Sequence, residues 1–144
     1  MIGIVLAAHG SLPKALVESV GMILGELPQV ATVSLMPGDS LEGLIDRMRT
    51  AVSEVNLGDG ALILLDMFGG TPANAAALLT QQMDNVYAVT GTNLPMLLET
   101  FMSRDSADNV ESLTETAFLA GQAGIVNVVQ AFKKFRSNTE LEST

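Results

Sequence analysis

The chain contains four short apolar runs, and each has the length of a β-strand. They occupy residues 2–8, 30–36, 61–65 and 86–90. The runs at 2–8 and 61–65 are almost continuously apolar, which is typical of strands covered on both faces in a parallel sheet. The run at 30–36 alternates polar and apolar residues, with Thr32 and Ser34 on one side. This alternation predicts a strand with one less buried face, as at the edge of a sheet.

Between these runs, apolar residues recur at intervals of three and four, which is the spacing of an amphipathic helix. The predicted helices cover residues 12–24, 41–55, 73–83 and 94–101. Because right-handed crossovers place helices on both faces of a parallel sheet, this alternation predicts an α/β fold, a three-layer sandwich with a mainly parallel sheet. The edge-like second strand favours the strand order 2-1-3-4.

The C-terminal part of the chain has a less regular pattern. Helical spacing from 110 to 120 is interrupted by Gly121 and Gly124, and β-branched valine and isoleucine residues follow. Such residues favour extended backbone, so we predict a fifth strand over 125–131. The length and pattern predict one domain over 1–132, followed by a polar C-terminal tail over 133–144.

Two residues with reactive side chains stand at predicted strand ends. His9 ends the first apolar run, and Asp66 directly follows the third. In an open α/β sheet, ligands bind outside the carboxyl ends of the strands, where the strand order reverses. With the order 2-1-3-4, that point lies between strands 1 and 3. We therefore expect His9 and Asp66 to face each other there, as candidate catalytic residues.

The loops after these two residues are short and rich in small residues. The candidate anion-binding residues in them are Gly10, Ser11, Gly69, Gly70 and Thr71. Glycines permit sharp turns and leave no side chain to block a ligand. Thr71 is predicted to be the N-cap of a helix whose first turn contains Pro72, at the positive end of the helix dipole. A tight strand-to-helix turn without ligand is the alternative interpretation.

The charge and residue composition of the chain exclude several classes of protein and of functional site. Of the 144 residues, 16 are acidic and 7 are basic, which gives a formal net charge of −9. This charge opposes binding to nucleic acid and is compatible with basic protein partners. The chain has no cysteine and one histidine, which excludes disulfides, thiolate chemistry and multi-histidine metal sites. No apolar run approaches the roughly 20 residues of a membrane span, and no signal peptide precedes Ile2, so we predict a cytoplasmic protein.

The pairing of one histidine with one carboxylate restricts the chemistry. An imidazole with one nitrogen bonded to a carboxylate is fixed in orientation, which leaves the other nitrogen as a nucleophile or base. A hydrolase triad is disfavoured because Ser11 lies in the same loop as His9, and nucleotide hydrolysis because the chain lacks a Walker A motif. The reaction that remains is covalent phosphorylation of His9, in which loop N–H groups and the Thr71 hydroxyl hold the phosphoryl oxygens. That reaction requires no metal or cofactor.

Two other classes of protein are alternatives to a phosphocarrier. One is a non-enzymatic α/β module that binds a small anion or nucleotide, with His9 as a hydrogen-bonding contact. A binding module would keep its ligand when His9 is replaced, whereas a phosphocarrier would lose all function. The other class is a receiver domain phosphorylated on aspartate, which is disfavoured because the acidic cluster expected after strand 1 is missing.

Several motifs in order resemble the enzyme IIA component of the mannose-type sugar phosphotransferase system. They are IVLAAHGS at 4–11, PGD at 37–39, DMFGGTPAN at 66–74 and GTNLPML at 91–97. The resemblance covers about residues 1–132. It implies that His9 is the phosphorylated histidine, that Asp66 orients it, and that Thr71 lies near the phosphoryl group.

The same resemblance implies partners and an assembly. His9 would take phosphate from the carrier protein HPr and give it to a IIB protein, which serves a membrane sugar permease complex. Family members are homodimers in which an antiparallel C-terminal strand crosses to the partner subunit, and 125–131 matches that segment. Because the chain ends at Thr144 without a IIB domain, the resemblance leads us to expect a separate IIB polypeptide. A related branch is the phosphoryl donor of dihydroxyacetone kinase, and the loop at 69–74 favours the sugar-transport branch over it.

Overall fold

A computed structural model describes the backbone of residues 1–143 and the side chains of residues 1–138. The strands are β1 (Gly3–His9), β2 (Val30–Leu35), β3 (Ala61–Leu65) and β4 (Val86–Val89). The helices are α1 (Leu12–Leu24), α2 (Leu41–Val55), α3 (Gly70–Gln82), α4 (Leu94–Ser103), α5 (Val110–Ala123) and α6 (Val128–Ser143). The four strands and the first four helices confirm the elements predicted from the apolar pattern.

The four strands form one parallel sheet in the order β2-β1-β3-β4. The predicted order 2-1-3-4 is therefore confirmed, with β2 at an edge and largely half-buried. β1 and β3 are adjacent central strands, and Ala7 pairs with Leu65 in their register. The next residues along both strands consequently emerge side by side at the carboxyl edge of the sheet.

Helices cover both faces of the sheet and form two separate cores. On one face, α2 and α3 pack against side chains such as Val5 and Ile63. On the other face, α1, α4 and α5 pack against Ile4, Leu64 and their neighbours. Because β1 and β3 are buried on both faces, their nearly continuous apolar sequence follows from their position. This arrangement is the predicted three-layer α/β sandwich.

The predicted fifth strand over 125–131 is wrong for this chain. Residues 125–127 are neither helix nor strand, and α6 begins at Val128. Asn127 caps this helix, because its side-chain oxygen accepts a hydrogen bond from the backbone N–H of Gln130 at 3.2 Å. A helix satisfies its hydrogen bonds internally, whereas a strand requires a neighbouring strand. The β-branched residues at 128 and 129 therefore take the helical conformation here.

Of the two glycines expected to interrupt the preceding helix, Gly124 lies at its end as predicted, whereas Gly121 lies within it. α5 continues through Gly121 and ends at Ala123, and the missing side chain of Gly121 lets α4 approach closely. A Cβ atom at Gly121 would lie 2.6 Å from Cε of Met96, and one at Gly124 would lie 2.5 Å from Cβ of Pro95. Gly121 thus serves helix packing, whereas Gly124 is both a packing position and the C-cap residue of α5.

The tail predicted at 133–144 is helical through Ser143, as the end of α6, and Thr144 lies outside the described residues. The proposed domain boundary after residue 132 stays a prediction. Within residues 1–143, no helix combines the length and the apolar character needed to cross a bilayer.

Candidate active site

The ring of His9 is held by the carboxylate of Asp66 at the carboxyl edge of the sheet. Nδ1 of His9 lies 2.8 Å from Oδ2 of Asp66, and the backbone N–H of His9 donates to the same oxygen at 3.1 Å. The other carboxylate oxygen accepts the backbone N–H of Met67 at 3.0 Å. Since the carboxylate is an acceptor, this contact places the ring proton on Nδ1 and a lone pair on Nε2. The structure thus brings together the two residues that the strand order predicted to meet.

The two side chains differ in their access to solvent. The side chain of His9 is 48% exposed, whereas that of Asp66 is 14% exposed. A partner molecule can therefore reach the ring, while the carboxylate behind it is shielded. Among the described side chains, no group of three or more His, Cys, Asp or Glu residues is arranged to hold a metal ion.

The backbone before Asp66 is fixed by Thr92, which the sequence-based predictions of site residues did not include. The carbonyl oxygen of Leu65 accepts the Thr92 backbone N–H at 3.0 Å and the Thr92 hydroxyl at 2.7 Å. Thr92 follows β4, so its loop meets the end of β3 at the carboxyl edge. The signal for it in the sequence was its position directly after the fourth strand, in the motif at 91–97.

The N-terminus of α3 adjoins the His9 ring. α3 begins at Gly70 with Gly69 as its N-cap, and their φ angles are +79° and +84°. A Cβ atom at Gly70 would lie 4.0 Å from Cε1 of His9. The first backbone N–H groups of a helix have no acceptor within the helix, and that end of the dipole is positive. The predicted glycine loop therefore places the positive end of a helix beside the ring, which is a suitable position for an anion.

Thr71 does not cap α3 as predicted. Two consecutive glycines with positive φ let the helix begin earlier, so Thr71 is its second residue and is half-buried. Thr71 still lies in the first turn of α3, at the helix end that adjoins His9. The predicted first-turn position of Pro72 is confirmed.

The loop after His9 brings a second helix N-terminus to the site. Gly10 has a φ of +62° and donates its N–H to the carbonyl of Leu35 at 2.9 Å, so its amide is already engaged. Ser11 is exposed and is the N-cap residue of α1, and within the described residues its hydroxyl makes no capping bond. Two helices, α1 and α3, therefore begin next to the imidazole.

Comparison with known proteins identifies the family. The sequence pattern of the EIIA-man family, described as "PTS system fructose IIA component", matches residues 3–118. The chain belongs to this EIIA-man family. The matched range includes His9, Asp66 and the loops around them.

Named relatives of this EIIA-man chain come from several bacteria. The "PTS system mannose-specific EIIAB component" of Escherichia coli (strain K12) is 32% identical over 124 residues, which are 86% of this chain and 38% of that protein. The chain therefore spans well under half the length of this relative. The "PTS system fructose-specific EIIA component" of Bacillus subtilis (strain 168) is 33% identical, over 82% of this chain and 85% of that protein.

A solved structure has the same fold as this EIIA-man chain. The EIIA component of the phosphotransferase system from Streptococcus agalactiae superposes with a TM-score of 0.82 at 28% sequence identity. The match covers 90% of this chain and 99% of that one. The likeness therefore extends across nearly all of the α/β sandwich.

Contacts with His9 lower the pKa of Asp66 in this EIIA-man chain. Burial by itself raises the pKa of Asp66, but three effects involving His9 oppose it. These are the hydrogen bond from the ring, the hydrogen bond from the backbone N–H, and the attraction of a protonated ring. Together with a backbone hydrogen bond in the loop of Asp66 itself, these three effects hold the pKa of Asp66 below its ordinary value.

The lowered pKa of Asp66 predicts a pH-dependent contribution to stability. The contribution of the carboxylate is complete above the pKa of about 3.9 of an unfolded aspartate and is lost as the pH falls through the lower folded-state pKa. We expect Asp66→Asn to lower the free energy of unfolding at neutral pH, with a difference from wild type that shrinks below about pH 4. Urea unfolding across this pH range measures the difference. Glu18→Gln, on an exposed part of α1, is the control, and a pH-independent effect of Asp66→Asn would contradict the prediction.

Proposed function

We propose that this EIIA-man chain is a phosphocarrier of the sugar phosphotransferase system that accepts a phosphoryl group on His9. The observation that carries the proposal is the oriented imidazole, with Nδ1 bound to Asp66 at 2.8 Å and the ring half exposed. An oriented, accessible ring nitrogen beside two helix N-termini suits attack on a phosphoryl group. The names of the family and of the relatives agree with this role.

In the proposed reaction, the Nε2 lone pair of His9 forms the new N–P bond. The N–P bond of the donor's phosphohistidine breaks at the same time, and its electron pair returns to the donor's imidazole ring. Asp66 holds the His9 ring in place and offsets the positive charge that develops on it. The backbone N–H groups at Gly70 and Thr71, together with the hydroxyls of Thr71 and Ser11, hold the phosphoryl oxygens. Transfer onward reverses these roles as the acceptor attacks the same phosphorus atom.

The proposed donor is the phosphocarrier protein HPr, and the proposed acceptor is a IIB protein. Through IIB the chain serves a membrane sugar permease complex indirectly, from the cytoplasm. The net charge of −9 suits partners with basic docking surfaces. The relatives are named for mannose and fructose, and transfer at His9 is the same chemistry for either sugar.

We also propose that the chain forms a homodimer in which the segment from Ile125 onward crosses to the partner subunit. Ile125, Val126 and Val128 are exposed although all three are apolar. Apolar side chains that lack cover in one subunit gain stability when a second subunit buries them. Sedimentation equilibrium is expected to give the mass of two chains, and a single-chain mass at all concentrations would contradict the proposal.

The phosphocarrier function is tested by intact mass spectrometry. The chain is incubated with phosphoenolpyruvate, the general phosphotransferase enzyme and HPr. We expect a mass increase of about 80 Da, corresponding to one phosphoryl group, that is lost in acid and retained in alkali. A mixture in which HPr becomes phosphorylated and the chain does not would contradict the proposal.

A further inference from the structure

The motif PGD at 37–39 forms a tight turn at the carboxyl edge of the sheet, between β2 and α2. The backbone N–H of Asp39 donates to the carbonyl of Met36 at 3.1 Å and closes this turn. Gly38 within it has a φ of +88°, a conformation that glycine adopts readily. Residues 36–40 are exposed, so polar contacts rather than burial hold the turn in place.

Arg47 on α2 supplies the polar contacts on both sides of Leu35, the last residue of β2. Its Nη1 donates to the carbonyl of Ser34 at 2.9 Å, and its Nη2 donates to Oδ2 of Asp39 at 2.8 Å. The same Asp39 oxygen accepts the backbone N–H of Met36 at 2.8 Å. Because the guanidinium group is planar and rigid, these contacts fix the backbone before and after Leu35 relative to α2.

Leu35 in turn holds the loop that follows His9. The two residues pair in the register of β1 with β2, and the carbonyl of Leu35 accepts the backbone N–H of Gly10 at 2.9 Å. Gly10 joins His9 to Ser11, whose hydroxyl is one of the proposed phosphoryl contacts. The bond to Leu35 therefore holds the backbone after His9 on the β2 side, while the Asp66 carboxylate holds the ring on the β3 side. A chain of hydrogen bonds thus leads from α2 to the loop of the reacting histidine.

We infer that Arg47 and Asp39 are positioning residues for phosphoryl transfer at His9, acting through the backbone of Leu35 and Gly10. The inference rests on the proposed phosphocarrier function and extends its site to an ion pair between α2 and the 36–39 turn. Misplacement of a reacting group slows a transfer reaction even when the group itself is unchanged. The two side chains are 46% and 32% exposed. Because exposed ion pairs add little to overall stability, the loss of this pair is expected to act locally in a folded protein.

The positioning role is tested by the rate of phosphoryl acceptance at saturating phospho-HPr. Arg47→Met and Asp39→Ala are each expected to slow this rate about 5-fold, a fraction of the about 100-fold effect of a 1 Å displacement. The two variants change the net charge in opposite directions, so an electrostatic effect on docking would change their rates in opposite directions. Arg49→Met is the matched control and is expected to match wild type. Arg49 lies on the same helix with similar exposure, and it bonds Gln82 at 2.7 Å, at the end of α3 remote from His9.

A second measurement follows the hydrogen bond between Gly10 and Leu35 without any phosphoryl transfer. Hydrogen exchange at the Gly10 amide, measured by NMR, reports how often this bond opens. We expect exchange about 5-fold faster in Arg47→Met and Asp39→Ala than in wild type, because the Leu35 carbonyl is then less firmly held. Arg49→Met is expected to show wild-type exchange at this amide.

The two measurements together separate the possible outcomes. Wild-type acceptance rates in Arg47→Met and Asp39→Ala would overturn the inference, as would rates that change in opposite directions. Slower acceptance with unchanged exchange at Gly10 would also overturn it, because the effect would then not pass through Leu35. Exchange at the buried Val5 amide of β1, unchanged in all variants, is the check that the sheet is intact. Failure of the wild type to accept phosphate would instead reject the phosphocarrier function, since exchange at Gly10 does not depend on phosphoryl transfer.

Discussion

Replacing His9 with Gln is expected to abolish phosphoryl transfer. The glutamine amide can donate a hydrogen bond to Asp66, as the His9 ring does at 2.8 Å, but it has no nucleophilic lone pair comparable to that of an imidazole nitrogen. No other residue replaces this one, because the chain has a single histidine. We expect a loss of at least about 10⁴-fold, the scale typical of removing an essential nucleophile. The phosphoryl mass adduct after incubation with phospho-HPr measures this loss.

A loss of transfer in the His9→Gln variant shows a chemical role of His9 only if the variant is folded. Because the His9 side chain is about half exposed, its replacement is expected to cost no more than about 1 kcal/mol of unfolding free energy, the value of one hydrogen bond. Urea unfolding checks this directly. A folded variant that still acquires an acid-labile adduct would show that His9 is not the acceptor.

Replacing Asp66 with Ala is expected to slow phosphoryl transfer about 100-fold, because a displacement of about 1 Å in a reacting group has an effect of this size. The carboxylate makes two contacts with His9, one to the ring and one to the backbone N–H, and both would be lost. The final stoichiometry is expected to stay at one phosphoryl group, since His9 itself is unchanged. Rapid-quench measurement of the acceptance rate distinguishes the rate from the end point.

One further variant separates orientation from charge at this position, and a second variant elsewhere is the control. Asp66→Asn keeps an oxygen that can accept the Nδ1 proton but removes the negative charge, so its rate is expected to lie between those of Asp66→Ala and the wild type. Asp59→Ala removes a carboxylate that pairs with the N-terminal amino group at the opposite edge of the sheet. That control is expected to transfer at the wild-type rate. A wild-type rate in Asp66→Ala would contradict the orienting role.

The sheet and its central helices were predictable because their signals are local. β1 and β3 are buried on both faces, and the sequence shows this as uninterrupted apolar runs at 2–8 and 61–65. Thr32 and Ser34 on one side of β2 marked it as an edge strand. Once the strand order was inferred from that edge, a general rule for ligand sites in α/β sheets located the crevice.

The sequence predicted the two central residues of the candidate site, but not their contact distance, the start of α3 or the role of Thr92. The strand ends identified His9 and Asp66, but the 2.8 Å contact between them depends on the register of β1 with β3. The start of α3 at Gly70 rather than after Thr71 depends on two positive φ angles, which the glycine pair permits without requiring. Thr92 was missed because its role is to bond a carbonyl on another strand, and that partner is 27 residues away.

The sequence by itself determined the alternating order of strands and helices, the apolar faces that build the two cores, and the placement of His9 and Asp66 at strand ends. Only the tertiary structure decided the hydrogen bonds at the site, the close packing of α4 on α5, and the helical conformation of the C-terminal segment. The β-branched residues at 125–129 favour a strand, yet Asn127 caps a helix there. The physical reason is that helical hydrogen bonds join residues four apart, so nearby sequence predicts them, whereas a strand forms only where a distant edge supplies its partners.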